Sequence, residues 1–211
     1  MNFKGEITAR IVDARFAAGG RISQVLKRVG DTVNKGTLIA SLDRKILQSE
    51  LDRQLADYDK VRADFDGFAQ KYPDPGDDTK YTKAEKQAAL NASVKDVEIA
   101  KANLDLCDLI SPCDGLLIDD SGIIAGQNVT PANGSIKIID ISSYLFEFAV
   151  EQKDIPNFVT SQKCTLTLDG LQNSVEGESL PVYSDGKNFI VRVKPTNTAG
   201  LLMGMVGEVE F

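Results

Sequence analysis

Two stretches of this chain carry one plan written twice. Residues 19–43, GGRISQVLKRVGDTVNKGTLIASLD, hold Gly20, Gly30, Val33, Gly36 and Asp43. Residues 114–140, DGLLIDDSGIIAGQNVTPANGSIKIID, hold Gly115, Gly126, Val129, Gly134 and Asp140 in the corresponding order. Within the first copy, short β-like pieces at 22–25 and 37–42 are separated by Gly30-Asp31 and Asn34-Lys35-Gly36, turn signals with glycine available for positive φ. A half-unit of a few short strands cannot bury its own apolar face, so the two halves are predicted to pack as one flattened sandwich. What separates them is then an insertion. It is cheap if Asp43-Arg44 and Ile110-Ser111 bring its two ends side by side.

The insertion changes period. Over residues 44–72, Leu47, Leu51, Tyr58, Val61, Phe65, Phe68 and Tyr72 fall on a 3-4 seam in which Gln54 is the polar member. That pattern predicts a helix of roughly 29 residues, about 43 Å long. Pro73 to Asp78, PDPGDD, breaks it. A second helix is predicted from Thr82, with Thr82 and Glu85 spaced as a capping box. Its seam runs through Leu90, Val94, Val97 and Leu104, interrupted by Lys101, and Ile99, Ala102 and Leu106 extend its apolar surface towards a stop at LISPCDG. The two helices read as an antiparallel coiled-coil hairpin.

The flanks are β. Ile7, Ala9 and Ile11 alternate with Thr8 and Arg10 in a single opening strand over 6–12. Phe146, Phe148 and Val150 alternate, as do Leu166 and Leu168, and Phe189, Val191 and Val193, with turns at Asp169-Gly170, Asp185-Gly186 and Ala199-Gly200. About five or six such strands predict a small barrel closed by the N-terminal strand.

Composition removes whole function classes. A net charge of −7 argues against a nucleic-acid surface. The absence of histidine removes the commonest general base and most catalytic zinc sites, so neither an enzyme, a cofactor site nor a metal site is expected. Cys107, Cys113 and Cys164 show no CxxC spacing and read as small buried hydrophobes, with a Cys107 to Cys113 bridge open to an exported chain. Met203 and Met205 read as strand packing. Asp77-Asp78 and Asp119-Asp120 read as turn residues. Gly67 marks close helix packing or a bend. No run of about 20 apolar residues is present, so the chain is either cytoplasmic or has had a leader and anchor removed, and the abrupt entry into a strand favours the second.

The first repeat resembles half of a lipoyl or biotinyl carrier domain, in which a lysine close to the place of Lys45 bears the cofactor. A carrier lysine needs a tight β-turn with the second half following at once. Here a helical seam follows, so Lys45 is read as a solvated first-turn helix residue; a carrier modified at Lys45 is the alternative and predicts a mass increase there.

The whole order, carried by residues 19–43, LISPCDGLL, GQNVTPANGSIKIID and LLMGMVGEVEF, resembles the HlyD-like periplasmic adaptor family, or membrane fusion proteins. The resemblance implies a mainly β fold with an inserted α-hairpin: one or more strands at 1–18 joining the barrel, a split lipoyl-like sandwich at 19–43 and 111–142, a coiled-coil hairpin at 44–110 and a small β-barrel at 143–211. It further implies a non-enzymatic subunit of Gram-negative tripartite efflux or secretion systems, bridging an inner-membrane transporter to an outer-membrane channel. Such a subunit self-associates into a ring and is periplasmic, held to the inner membrane by an N-terminal segment. The hairpin tip would meet the channel, through Arg62, Phe65, Phe68, Tyr72, Tyr81 and Thr82. Many efflux adaptors carry Arg, Leu and Ser there; this chain has Arg62, then Phe65 and Phe68, and Thr82. A coiled-coil scaffold with another partner is the second reading.

Overall fold

The apolar residues of this chain are sorted into two separate cores joined by two short crossings. The computed structural model describes residues 2–73, 76–184 and 186–211, with only the backbone of Asp77 and Asp78. The expected break at Asp74-Pro75, the Asp77-Asp78 side chains and Asp185 of the Asp185-Gly186 turn lie outside the described residues. In chain order the elements are β1 (Asn2–Thr8), β2 (Ile11–Ala14), β3 (Gly20–Val25), β4 (Thr32–Val33), β5 (Leu38–Leu42), α1 (Lys45–Lys71), α2 (Asp77–Asp105), β6 (Asp108–Ile110), β7 (Gly115–Asp119), β8 (Asn128–Val129) and β9 (Ile136–Asp140). After a 3-10 turn at Ile141–Ser143 follow β10 (Leu145–Val150), β11 (Lys163–Leu168), β12 (Val175–Ser179), β13 (Tyr183–Ser184), β14 (Phe189–Pro195) and β15 (Val206–Glu210).

The repeat folds into two four-stranded sheets, β2-β9-β7-β4 and β6-β5-β3-β8, each ending on a two-residue strand. Those short strands are exchanged. β4, from the first copy, pairs with β7 of the second, and β8, from the second, pairs with β3 of the first. The same backbone bonds occur twice: Gly30 N donates to Leu117 O and Gly126 N to Ile22 O, both at 2.8 Å. Gly30 and Gly126 sit at φ 94° and 90°, where a side chain is strained, which is why glycine recurs in both copies. Val33 and Val129, Ile22 and Leu117 all end up inside one shared core with Phe16, Ile39, Leu42, Ile136 and Ile138. Neither copy would enclose that core alone.

The second core fills a six-stranded barrel. Its order is β10-β1-β15-β11-β12-β14, closed by a β14–β10 pairing, with β13 pairing on the same edge of β14 as β12, further along that strand. Inward positions of period two are filled by Ile7, Phe146, Phe148, Leu166, Val191, Val193 and Val209. Phe3, Phe148, Phe158 and Phe211 form a ring cluster in it, with centroids 5.2 Å apart for Phe3–Phe158 and for Phe158–Phe211.

Several expectations are corrected. The opening strand is two strands: Ile7 lies in the barrel core, the chain crosses over at Ala9-Arg10, and Ile11 is exposed in β2, which pairs with β9 of the other unit. Helix α2 begins at Asp77, because the Thr79 and Lys80 amides already bond to Gly76 O, so Thr82 and Glu85 lie inside the helix and form no capping box. The helix ends at Asp105, and residues 108–110 are a strand on β5, pulled in by the burial of Leu109. Met203 stands exposed in the turn before β15 and Met205 packs on the barrel core, so the pair is not in a strand. A Cβ at Gly67 would meet nothing within 4 Å, so close packing does not explain that glycine.

Candidate functional site: the helical hairpin

The hairpin is a cantilever whose structure explains itself. Leu47, Leu51, Tyr58, Val61, Phe65, Phe68 and Tyr72 are each half-buried along α1, with Gln54 among them bonded to Glu50, as the seam pattern requires. Opposite them, Leu90, Val94, Val97 and Leu104 are half-buried along α2. Ile99, Ala102 and Leu106 instead face water. Two small residues lie deepest among the described side chains of α2: Ser93, 9% exposed, and Ala100, 5%. Ser93 bonds its hydroxyl back to Leu90 O within the helix. The ion pairs Arg53–Glu50, Lys95–Glu98 and Arg62–Asp66 all stand in water, where solvent screening leaves them little stabilising effect. Seam burial is therefore what holds the helices together.

At its root the hairpin is fixed by Leu42 N donating to Cys107 O at 2.9 Å and by the Arg44–Asp108 ion pair at 2.6 Å, and Leu47 packs on the shared core. Lys45 is the first residue of α1, its amide bonded to Asp43, and not the tip of a β-turn.

The six residues expected at the tip divide. Phe65, Phe68, Tyr72 and Thr82 turn towards the seam, and the Phe68 and Tyr72 rings lie 5.0 Å apart. Lys86 of α2 reaches over the Phe68 ring, 5.8 Å from its centroid, and pairs with Asp64 of α1. Arg62 faces outward beside Asp66. Tyr81, 80% exposed, is the aromatic that water reaches. Sequence reasoning missed Lys86, which the i to i+4 step from Thr82 to Leu90 places on the seam side. It also missed exposed Leu55, which with Tyr58, Val94 and Val97 lines a shallow apolar groove along the hairpin.

Elsewhere the reactive groups are quiet. All three cysteines are free; burial pushes the Cys107 and Cys113 thiols up and Cys164 up to about 11, away from thiolate chemistry. Asp119 and Asp120 accept the Ser121 and Gly122 amides as turn residues do, and pair with Lys137 and Arg28. Among the described residues no group of His, Cys, Asp or Glu is placed to hold a metal ion, and no helix is long and apolar enough to cross a membrane.

No family model matches the sequence. An uncharacterised protein of Haemophilus influenzae is 28% identical over 156 residues, 71% of this chain, and the match spans only 39% of that relative's length. A MacA–MexA chimera carrying the α-hairpin domain of Pseudomonas aeruginosa MexA superposes with a TM-score of 0.78 at 22% identity, over 99% of this chain and 80% of that one. The membrane fusion protein Spr0693 of Streptococcus pneumoniae R6 does so with a TM-score of 0.73 at 14% identity, over 100% of this chain and 97% of that one. Exchanged two-sheet unit, inserted hairpin and six-stranded barrel together give this chain the fold of the membrane fusion proteins, the periplasmic adaptors.

Proposed function

We propose that the chain is the adaptor portion of a tripartite efflux or secretion system, bridging an inner-membrane transporter to an outer-membrane channel and doing no chemistry of its own. The observation that carries the reading is the hairpin, a pair of helices of 27 and 29 residues, about 40 Å long at 1.5 Å per residue, that packs on itself and projects from its root. Such a strut spans distance without enclosing a site. On this reading the two-sheet unit is a split lipoyl-like domain that has kept the fold and replaced the cofactor-bearing turn with the strut. Copies associate side by side into a ring in the periplasm, held to the inner membrane by an N-terminal segment. The channel meets the far end of the hairpin, where Tyr81 and Arg62 face outward while Phe65, Phe68, Tyr72 and Thr82 shape the surface from beneath.

Site-specific photo-crosslinking in the native host tests this. A probe at Tyr81 is expected to capture an outer-membrane channel, and one at exposed Val159 in the barrel unit an inner-membrane transporter. Capture at Tyr81 of copies of this chain alone would overturn the bridging role in favour of a coiled-coil scaffold.

A further inference from the structure

The barrel and the two-sheet unit are connected covalently by two crossings that run side by side. On one, β1 passes into β2 through Ala9 and Arg10; on the other, β9 passes into β10 through residues 141–144. The crossings are antiparallel neighbours at both ends, since Thr8 pairs with Leu145 in the barrel and Ile11 with Ile139 in the other unit. Between those pairs the second crossing is longer, and its surplus is coiled into the 3-10 turn Ile141–Ser143. A two-stranded ribbon with a slack on one side is the geometry of a hinge.

That slack is tied to the two-sheet unit by the Ile141 amide, which donates to Asp114 O at 3.2 Å, and to the shorter crossing by one residue. Arg10 Nη2 lies 2.5 Å from Asp140 Oδ2, its amide donates to Ser143 Oγ at 2.8 Å, and its carbonyl accepts the Asp140 amide at 3.0 Å. The other Asp140 oxygen accepts the Ser142 amide and hydroxyl, so Asp140, 2% exposed, stays bonded within its own turn whatever Arg10 does. Arg10 is different: its side chain is 69% exposed. The fastening is therefore reachable from solvent while its anchor is not. Beneath it, Ile139, Ile118, Ile141 and Ala9 pack on the barrel core, an apolar seat that resists separation and is less directional than hydrogen bonds.

We infer that Arg10 is the clasp of a hinge: it holds the barrel at one angle to the two-sheet unit, and its release lets the barrel swing on its apolar seat without unfolding either unit. A partner that engages the Arg10 guanidinium would thereby change the angle between barrel and hairpin.

Pulsed electron paramagnetic resonance tests this on the purified chain, with genetically encoded spin labels at exposed Asn91 on the hairpin and Lys163 on the barrel. The parent chain is expected to give one narrow distance distribution. Arg10→Ala is expected at least to double its width and Ser143→Ala to widen it by less, with circular dichroism unchanged in both. Ile118→Ser serves as the comparison. An Arg10→Ala distribution as narrow as the parent's, or widening by Ile118→Ser alone, overturns the clasp and leaves the apolar seat as what fixes the angle.

Discussion

A single buried carboxylate shows how this chain's stability depends on pH. Burial of Asp140 pushes its pKa up, but the Ser142 hydroxyl, the Arg10 guanidinium and the Ser142 amide all bond to the ionised form, and the net value is lowered. A lowered carboxylate contributes stability that is complete above its unfolded value of about 3.9 and is lost as pH falls through the native one. Asp13 and Asp119 are lowered too, by Arg15 and by the Ser121 amide, but both stand in water, where screening leaves little of the effect. Asp140→Asn is therefore expected to lower stability at pH 7 by about 1–3 kcal/mol, with the gap to the parent closing as the pH drops below about 4. Urea denaturation across that range measures it, and a gap independent of pH would show that the charge is not what matters. Nothing in the sequence marked Asp140 beyond its place in the repeat. Its partner Arg10 lies 130 residues away, and such a bond is written in the fold rather than in any local spacing.

In the hairpin, the pattern of large apolar residues located α1 and its seam because a period of 3.5 survives any detail of packing. It failed for α2 where the seam is made of small residues: Ser93 and Ala100 are the most buried of that helix's described side chains, and neither is one of the large apolar residues that a seam pattern is read from. Ile99 and Leu106 did contribute, and they face water. The same limit hid β6, a three-residue strand that follows the helix after only the Leu106-Cys107 turn, and misplaced the start of α2, where backbone bonds to Gly76 precede the capping pattern at Thr82. Two substitutions separate the packed face from the open one. Ala100→Leu overfills a buried position and is expected to cost about 1–3 kcal/mol. Gly67→Ala adds a Cβ that meets nothing and is expected to stabilise by about 0.5–1 kcal/mol. Thermal unfolding followed by far-UV circular dichroism orders the three proteins; equal midpoints for Ala100→Leu and the parent would mean that the helices are not held at that point.

At the scale of the molecule, the repeat was the most legible feature, since glycine at Gly30 and Gly126 and valine at Val33 and Val129 serve the same backbone turns in both copies. What a linear reading did not supply is that the copies exchange their short strands, so that the two sheets close only when both halves are present. The hairpin has no part in that closure. It touches the shared core through Leu47 near its root, while the Leu42 to Cys107 bond and the Arg44–Asp108 pair belong to the neck beneath it. Replacing residues 45–105 by a short Gly-Ser linker removes one half-buried leucine from the core. It also shortens the loop that must be closed in the unfolded chain by about four doublings, worth roughly 2 kcal/mol in the stabilising direction. The two effects oppose each other. The shortened protein is therefore expected to fold, with a cooperative unfolding midpoint within about 8 °C of the parent's by calorimetry. A chain that aggregates or melts without a cooperative transition would show instead that the strut organises the units it projects from.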